Sequence, residues 1–169
     1  RPEFLRMMAV AAGSPHGVEG DYIFNAFNVG KRSVALNLKH EEGVAVARRL
    51  VHWADAVLEN FSPKAMTGFG LDYDTLAAEK PDLVMVSTCI NGQTGPHRIY
   101  PGFGPQGSAL SGYTMLTGYP DRDPHSGTVT DFLAPRFTAV ALAAGDLDGR
   151  DAIIDGAVAV VVQPVAEFQ

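Results

Sequence analysis

Short apolar runs in the middle of the chain predict the strands of an open α/β sheet. Apolar and polar residues alternate with a period of two over residues 33–38, which is the pattern of a half-buried strand. Residues 56–58 form a short apolar run that predicts a buried strand. Residues 83–87 form a continuous run of the kind that is covered on both faces of a parallel sheet.

Helical patterns separate the predicted strands. Residues 41–54 begin with two glutamates and carry two arginines toward their end, which is the charge order that a helix dipole favours. A second helix is predicted to start at Ser62 and Pro63, and a third to cover residues 72–80. This alternation predicts βαβ units with right-handed crossovers, and hence an α/β fold with an open, mostly parallel sheet and flanking helices.

The rest of the chain is less regular and rich in glycine and proline. The apolar tail over residues 152–169 has no period that separates helix from strand. The other predictions are a helical turn at 4–10 in an otherwise loop-like 1–21, loops at 90–105 and 117–130, and a helix near 106–116.

Asp131 stands at the junction of a small-residue loop and the apolar run that follows it. This position predicts the N-cap of a buried helix, where free backbone N–H groups and the helix dipole keep a carboxylate ionised. The side chain could serve only as a cap, or it could act as a nucleophile toward an activated acyl group. Open α/β sheets bind ligands beyond the carboxyl ends of their strands, where the loop at 91–95 is also expected.

Composition limits the classes of protein that fit. The chain has 169 residues, one domain's worth, with 46% hydrophobic and 19% charged residues, as in soluble globular proteins. The formal net charge of −6 disfavours nucleic-acid binding, and no apolar run approaches the roughly 18 residues of a membrane span. Cys89 is the one cysteine, so an internal disulfide is excluded, and its thiol is expected to be buried and inert. A chain without disulfides is typical of the reducing cytoplasm, which is the predicted location. The five histidines lack metal-ligand spacing, so no metal site is expected.

Five sequence segments stand in a fixed order along the chain. They are NVGKRSVALNLK at 28–39, ADAVLENF at 54–61, QTGP at 93–96, ALSG with LTG at 109–118, and Asp131. In order and spacing they resemble the family III CoA-transferases, a superfamily that includes formyl-CoA transferase, carnitine CoA-transferase and the α-methylacyl-CoA racemases. The resemblance is strongest over 25–144, and the acidic segment 145–150 departs from the family pattern, so the resemblance assigns no role to the residues after 145. It implies a partial large domain of that family, without the first βα unit and the smaller second domain of its longer members.

The resemblance also implies a function. It implies a Rossmann-like large domain in an interlocked homodimer, with CoA lying across the strand ends. The implied enzyme moves CoA between an acyl-CoA thioester and a small carboxylic acid, without a permanently bound cofactor. Asp131 matches the family's nucleophilic aspartate, and an aspartyl anhydride and an aspartyl-CoA thioester are the implied intermediates. The residues that match CoA-contacting positions are Leu36, Asn37, Leu38, Lys39, Asn60, Phe61, Ser62, Pro101, Gly102, Phe103 and Gly104.

Some positions depart from the family pattern. Gly68 and Gly102 replace an arginine and a lysine that bind CoA in formyl-CoA transferase, so the phosphates of CoA need other contacts. Phe103 stands where the racemases have a histidine, and a phenyl ring cannot carry a proton, which favours a transferase. An acyl-CoA racemase or isomerase and a non-catalytic, truncated CoA-binding homologue are the alternatives. Gly107 and Gly112 are expected to let the backbone approach the ligand closely.

Overall fold

The computed structural model describes residues 3–125, 127–146 and 159–162. Two compact units divide the chain, one within Arg1–Leu36 and the other within Asn37–Gln163. In the described part of the chain, no helix is long and apolar enough to cross a membrane.

The first unit contains two short helices joined by a 3-10 turn. Its elements are α1 (Phe4–Ala11), the 3-10 turn (Gly17–Glu19) and α2 (Tyr22–Phe27). Arg6 links them, because its Nε donates to the Val18 carbonyl at 3.1 Å and its guanidinium lies 5.1 Å from the ring centroid of Phe24. The helical turn predicted at 4–10 is confirmed as α1, whereas the hydrophobic pattern gave no sign of α2.

A parallel sheet lies in the second unit, in the order β2-β1-β3. Its described strands are β1 (Ala56–Glu59), β2 (Val84–Ser87) and β3 (Ala159–Val162). Ala56 pairs with Val84 on one side and with Ala159 on the other, both in parallel register. The sheet confirms the predicted α/β class and two of the predicted strands. Within the apolar tail, residues 159–162 form β3, and the rest of the tail lies outside the described residues. β2 is only half-buried rather than covered on both faces, and it lies at one end of the three described strands.

The strand predicted at residues 33–38 is wrong. This segment belongs to no strand of the described chain, and the side chains of residues 33–35 are exposed. Period-two alternation describes which faces of an extended segment are apolar, but a strand also needs a neighbour that completes its hydrogen bonds. Within the part of the chain that the structure describes, the segment has no such neighbour.

The helices between the strands form where the sequence predicts them. They are α3 (Glu41–Trp53), α4 (Pro63–Phe69) and α5 (Tyr73–Glu79). The apolar face of α3 is buried at Ala47 and Val51. Leu71 and Leu76 are each 1% exposed and are the largest fully buried side chains of the described core. Lys80 donates to the Ala54 carbonyl at 2.8 Å, which satisfies an acceptor at the end of α3.

The last helices differ from their predictions in two respects. They are α6 (Gly104–Leu110), α7 (Tyr113–Leu116) and α8 (Val129–Asp146). The single helix predicted near 106–116 is divided, because Gly112 adopts a φ of 77° and ends the right-handed helical path. α8 starts at Val129, so Asp131 is not its N-cap, and most of its described side chains are exposed rather than buried.

Candidate functional site

Asp131 lies in the first turn of α8 and faces the first residue of α6. Its backbone N–H donates to the Thr128 carbonyl at 3.0 Å, and its side chain reaches solvent. The carboxylate also rests against the α-carbon of Gly104, because a Cβ atom there would lie 2.6 Å from the Asp131 Cγ and closer still to Oδ2. Asp131 and Gly104, both predicted site residues, are therefore in contact.

Hydroxyl groups fix the junction between α6 and α8. The Thr130 and Ser108 hydroxyls each donate to the Gly104 carbonyl at 3.0 Å. A Cβ atom at Gly107 would lie 3.2 Å from the Thr130 side chain. Gly107 gives room to the Thr130 side chain, and Gly112 forms the turn between α6 and α7. The approach of a ligand to these two glycines stays a prediction. The junction holds the backbone of Asp131 in place beside Gly104.

Partial burial changes the acidity of Asp131. One side of the carboxylate is pressed against Gly104 while the other meets solvent, and the loss of solvent raises the pKa of Asp131 above its ordinary value of 3.8. This direction is opposite to that expected of an N-capping aspartate, which accepts hydrogen bonds from free N–H groups. A carboxylate with a raised pKa is a more basic nucleophile than an exposed aspartate, provided that it is ionised.

A first cleft lies beside the turn at Asn37, Leu38 and Lys39. The cleft has a volume of about 370 Å³ and is lined by Leu38, Lys39, His40, Glu41, Val44, Ala45, Arg48, Gly68 and Phe69. The turn packs tightly on α3, because a Cβ atom at Gly43 would lie 2.8 Å from the Asn37 carbonyl carbon and closer still to its oxygen. Two of the predicted CoA contacts, Leu38 and Lys39, therefore share a cleft with Gly68. Leu36 belongs to the first unit.

A second cleft also borders Gly68. It has a volume of about 540 Å³ and is lined by Pro63, Lys64, Thr67, Gly68, Gln93 and Arg98. A Cβ atom at Gly68 would have nothing within 4 Å, so the position is open to both clefts. Lys64 and Arg98 were not predicted as site residues, and their only sequence signal is that each lies near a strand-end loop.

The loop after β1 divides its residues between core and surface. The Phe61 ring is buried and meets the Phe69 ring edge-on, with 5.8 Å between the centroids, so its side chain packs in the core. Asn60 and Ser62 are exposed. Ser62 occupies the N-cap position of α4, but its side chain makes no capping hydrogen bond.

Glu59 connects two loops at the carboxyl ends of β1 and β2. Its side chain is only 3% exposed. Oε2 accepts from the Phe61 N–H at 2.7 Å, and Oε1 accepts from the Gln93 amide at 3.3 Å. Burial first, and the nearby charge of Glu59 second, raise the pKa of the Cys89 thiol, which favours its protonated, unreactive form. Sequence reasoning missed Glu59, although a charged residue that ends an apolar strand is a signal of a buried, satisfied carboxylate.

The segment from Pro101 to Gly104 takes several different environments. Pro101 is exposed, and the Phe103 side chain is 79% exposed while its N–H donates to Gln106 Oε1 at 2.9 Å. A Cβ atom at Gly102 would lie 3.1 Å from the Ile90 side chain. Gly102 therefore has little room for the lysine that formyl-CoA transferase carries there, whereas Gly68 has ample room for an arginine.

Comparison with known proteins defines the family. The model of CoA-transferase family III matches residues 3–161, which is nearly the whole chain. The chain belongs to CoA-transferase family III. The resemblance predicted from the five segments is confirmed, and the family match extends on both sides of residues 25–144, over which the resemblance was expected to be strongest.

Individual relatives agree with this assignment. The chain is 37% identical over 150 residues to succinyl-CoA--D-citramalate CoA-transferase of Chloroflexus aurantiacus, covering 82% of this chain and 37% of the relative. It is 39% identical over 117 residues to succinate--glutarate CoA-transferase of Agrobacterium fabrum, covering 69% of this chain and 29% of the relative. The chain thus spans about a third of the length of these curated relatives.

Solved structures show the same fold. A CAIB/BAIF family protein from Brucella suis matches with a TM-score of 0.66 and 34% identity, over 70% of this chain and 32% of the other. Rv3272 from Mycobacterium tuberculosis matches with a TM-score of 0.64 and 31% identity, over 80% of this chain and 38% of the other.

Proposed function

We propose that this chain carries the nucleophile and part of the CoA-binding surface of an acyl-CoA:carboxylate CoA-transferase. The position of Asp131 supports this most, because its exposed carboxylate lies against Gly104 at the α6–α8 junction of a family III chain. The relatives' names pair succinyl-CoA with citramalate and succinate with glutarate. The proposed substrates are therefore an acyl-CoA thioester and a small carboxylic acid, without a bound cofactor.

The proposed reaction begins at Asp131. Its carboxylate attacks the thioester carbonyl, and the C–S bond breaks to give an aspartyl anhydride and CoA thiolate. The thiolate then attacks the aspartyl carbonyl, which releases the donor acid and leaves an aspartyl-CoA thioester. The acceptor carboxylate attacks this thioester to form a second anhydride, and the returning thiolate forms the new acyl-CoA and frees Asp131.

The energetics of these steps agree with a protein that uses no ATP. Each step exchanges one activated acyl group for another of similar activation, so the sequence needs no external energy source. Binding of the remote nucleotide end of CoA can position the thioester at Asp131. The two clefts that Gly68 borders are the proposed sites for this remote part, together with Asn37–Lys39 and Asn60–Ser62.

A transfer assay tests the proposal. The protein is incubated with an acyl-CoA and a panel of dicarboxylic acids without ATP, and the new acyl-CoA is identified by mass. Formation of an acceptor-derived acyl-CoA is the expected result. Incorporation of deuterium at the α-carbon of the acyl-CoA, without any acceptor acid, would instead identify a racemase. If neither reaction occurs, the chain is a non-catalytic CoA-binding homologue and the proposal is rejected.

The pH dependence of transfer should report the ionisation of Asp131. The nucleophile is the ionised carboxylate, so kcat/KM falls as the pH drops through its pKa. Because partial burial raises that pKa, the acidic limb is expected above pH 3.8. The measurement is kcat/KM for the acyl-CoA from pH 3 to pH 8, over the pH range in which circular dichroism shows a folded protein. A limb at or below 3.8 would contradict the environment described for this side chain.

Restoring an arginine at position 68 should strengthen CoA binding. Gly68→Arg is sterically allowed, since a Cβ there meets nothing within 4 Å, and the side chain would reach either cleft. One added charge-assisted hydrogen bond to phosphate is expected to lower the KM for acyl-CoA by about tenfold. The matched control is Gly68→Ala, which shares the gain in helix propensity of up to about 1 kcal/mol but adds no charge. An equal KM in both variants would place CoA elsewhere.

We also propose that a second copy of the chain covers the apolar surface of α6, α7 and α8, as an interlocked homodimer would. Leu116 is 85% exposed and Phe137 is 69% exposed, and Leu110, Met115 and Val140 are exposed as well. Soluble monomers rarely expose large apolar patches. Sedimentation velocity should give the mass of a dimer, and a stable monomer at micromolar concentration would refute this arrangement. Some relatives are named as α or β subunits. Assembly of this chain with a different subunit would also refute the proposed homodimer.

A further inference from the structure

We propose that Lys64 and Arg98 together bind phosphate groups at the nucleotide end of the CoA substrate, in the cleft between α4 and the loop 91–100. This inference rests on the proposed function, and it names the groups that would replace the arginine lost at position 68. Of the residues that the structure describes, six line the cleft, and these two cations are the charged ones among them. Both side chains are exposed, so they are available to a ligand.

The loop that carries Arg98 is shaped by its own hydrogen bonds. The Asn91 side chain donates to the Tyr100 carbonyl at 3.0 Å, and the Tyr100 N–H donates to the His97 carbonyl at 2.9 Å. The His97 and Tyr100 rings lie 5.1 Å apart between centroids. A loop ordered before binding loses less conformational entropy when it contacts a ligand, so Arg98 is partly pre-organised.

The Glu59 carboxylate accepts hydrogen bonds from both segments that carry the cations, the one before Lys64 and the one before Arg98. One oxygen of its buried carboxylate accepts from the Phe61 N–H, three residues before Lys64. The other oxygen accepts from Gln93, which itself lines the cleft and precedes Arg98 in the same loop. A single interior carboxylate thus fixes the two walls of the cleft relative to each other.

The chemistry of the lining fits phosphate. A guanidinium can bind two phosphate oxygens through parallel hydrogen bonds, and a lysine ammonium adds a mobile point charge. The Thr67 hydroxyl and the Gln93 amide are the polar neutral groups of the lining, and no carboxylate among the lining residues competes with the ligand. Gly68 adjoins this cleft and the first one, so an extended ligand can continue toward Leu38 and Lys39.

Direct binding measurements test this inference without relying on turnover. Isothermal titration of the protein with CoA and with pantetheine, which lacks the phosphates, is carried out for the native sequence and three variants. Lys64→Ala and Arg98→Ala are each expected to weaken CoA binding by about tenfold and to leave pantetheine binding unchanged. Arg49→Ala is the matched control, because it removes the same charge from an exposed position that lines neither cleft.

Several outcomes would overturn the inference. It fails if CoA binding is unchanged in both cleft variants, if Arg49→Ala weakens it equally, or if the native protein does not bind CoA. It also fails if inorganic phosphate binds as tightly as CoA, which would show a general anion site. Transfer assays run in parallel separate the two proposals: the expected binding pattern without any transfer would reject the CoA-transferase and leave a CoA-binding cleft.

Discussion

Replacement of Asp131 by alanine is expected to lower CoA transfer by about 10⁴-fold or more, since loss of a catalytic nucleophile or its partner costs that much in other enzymes. The physical reason is that the proposed nucleophile is this one carboxylate, which lies against Gly104 at the α6–α8 junction. CoA binding should persist, because the proposed CoA clefts lie at Gly68 rather than at α8. The measurements are kcat for transfer and the Kd for CoA.

A matched control separates this effect from a general loss of charge near α8. Asp123→Ala removes an exposed carboxylate from the loop before α8 and should leave transfer within about twofold, as surface substitutions usually do. Asp131→Asn keeps the size of the side chain but not its charge, and should be as inactive as the alanine variant. Retained turnover in Asp131→Asn would show that the carboxylate is not the nucleophile.

Substitution of Gly104 by alanine is expected to reduce kcat by about 100-fold, which is the usual consequence of displacing a reacting group by about 1 Å. The added methyl group would occupy the space of the Asp131 carboxylate, whose Cγ lies 2.6 Å from the position of that Cβ. Because the carboxylate is the end of a side chain that can rotate, the fold should survive while the nucleophile moves away.

The controls for this variant are a second glycine and two independent readouts. Gly127→Ala is suitable, since a Cβ there meets nothing within 4 Å and the residue lies in the loop before α8. Thermal unfolding and CoA binding should match the native protein in both variants, and only Gly104→Ala should lose transfer. If Gly104→Ala unfolds at a lower temperature and loses CoA binding as well, its effect is structural and the positioning role is rejected.

The elements that could be predicted from sequence are those whose signals are local. The apolar runs of β1 and β2 and the charge order of α3 depend on neighbouring residues, and all three elements form as predicted. The segment 33–38 has an equally good local pattern, but strand formation depends on a partner elsewhere in the chain. The division of the helix near 106–116 depends on the left-handed φ of Gly112, which glycine permits but does not require.

The family could be predicted from the sequence, but the contacts that shape the candidate site could not. The five segments indicated CoA-transferase family III correctly. The contact between Gly104 and Asp131, and that between Gly43 and the Asn37 carbonyl, are tertiary approaches that sequence spacing does not reveal. The links from Glu59 to two loops are equally non-local. The catalytic role of Asp131 and the individual CoA contacts remain predictions.

Chemical trapping of the intermediate at Asp131 tests the central claim most directly. The protein is mixed with an acyl-CoA, quenched with hydroxylamine and digested, and the peptide that contains Asp131 is examined by mass spectrometry. Attack of hydroxylamine on an aspartyl-CoA thioester leaves a hydroxamate, and this modification is expected at Asp131 alone and only when acyl-CoA is present. An unmodified Asp131 peptide during active transfer, or a hydroxamate on another residue, would contradict the assignment of the nucleophile.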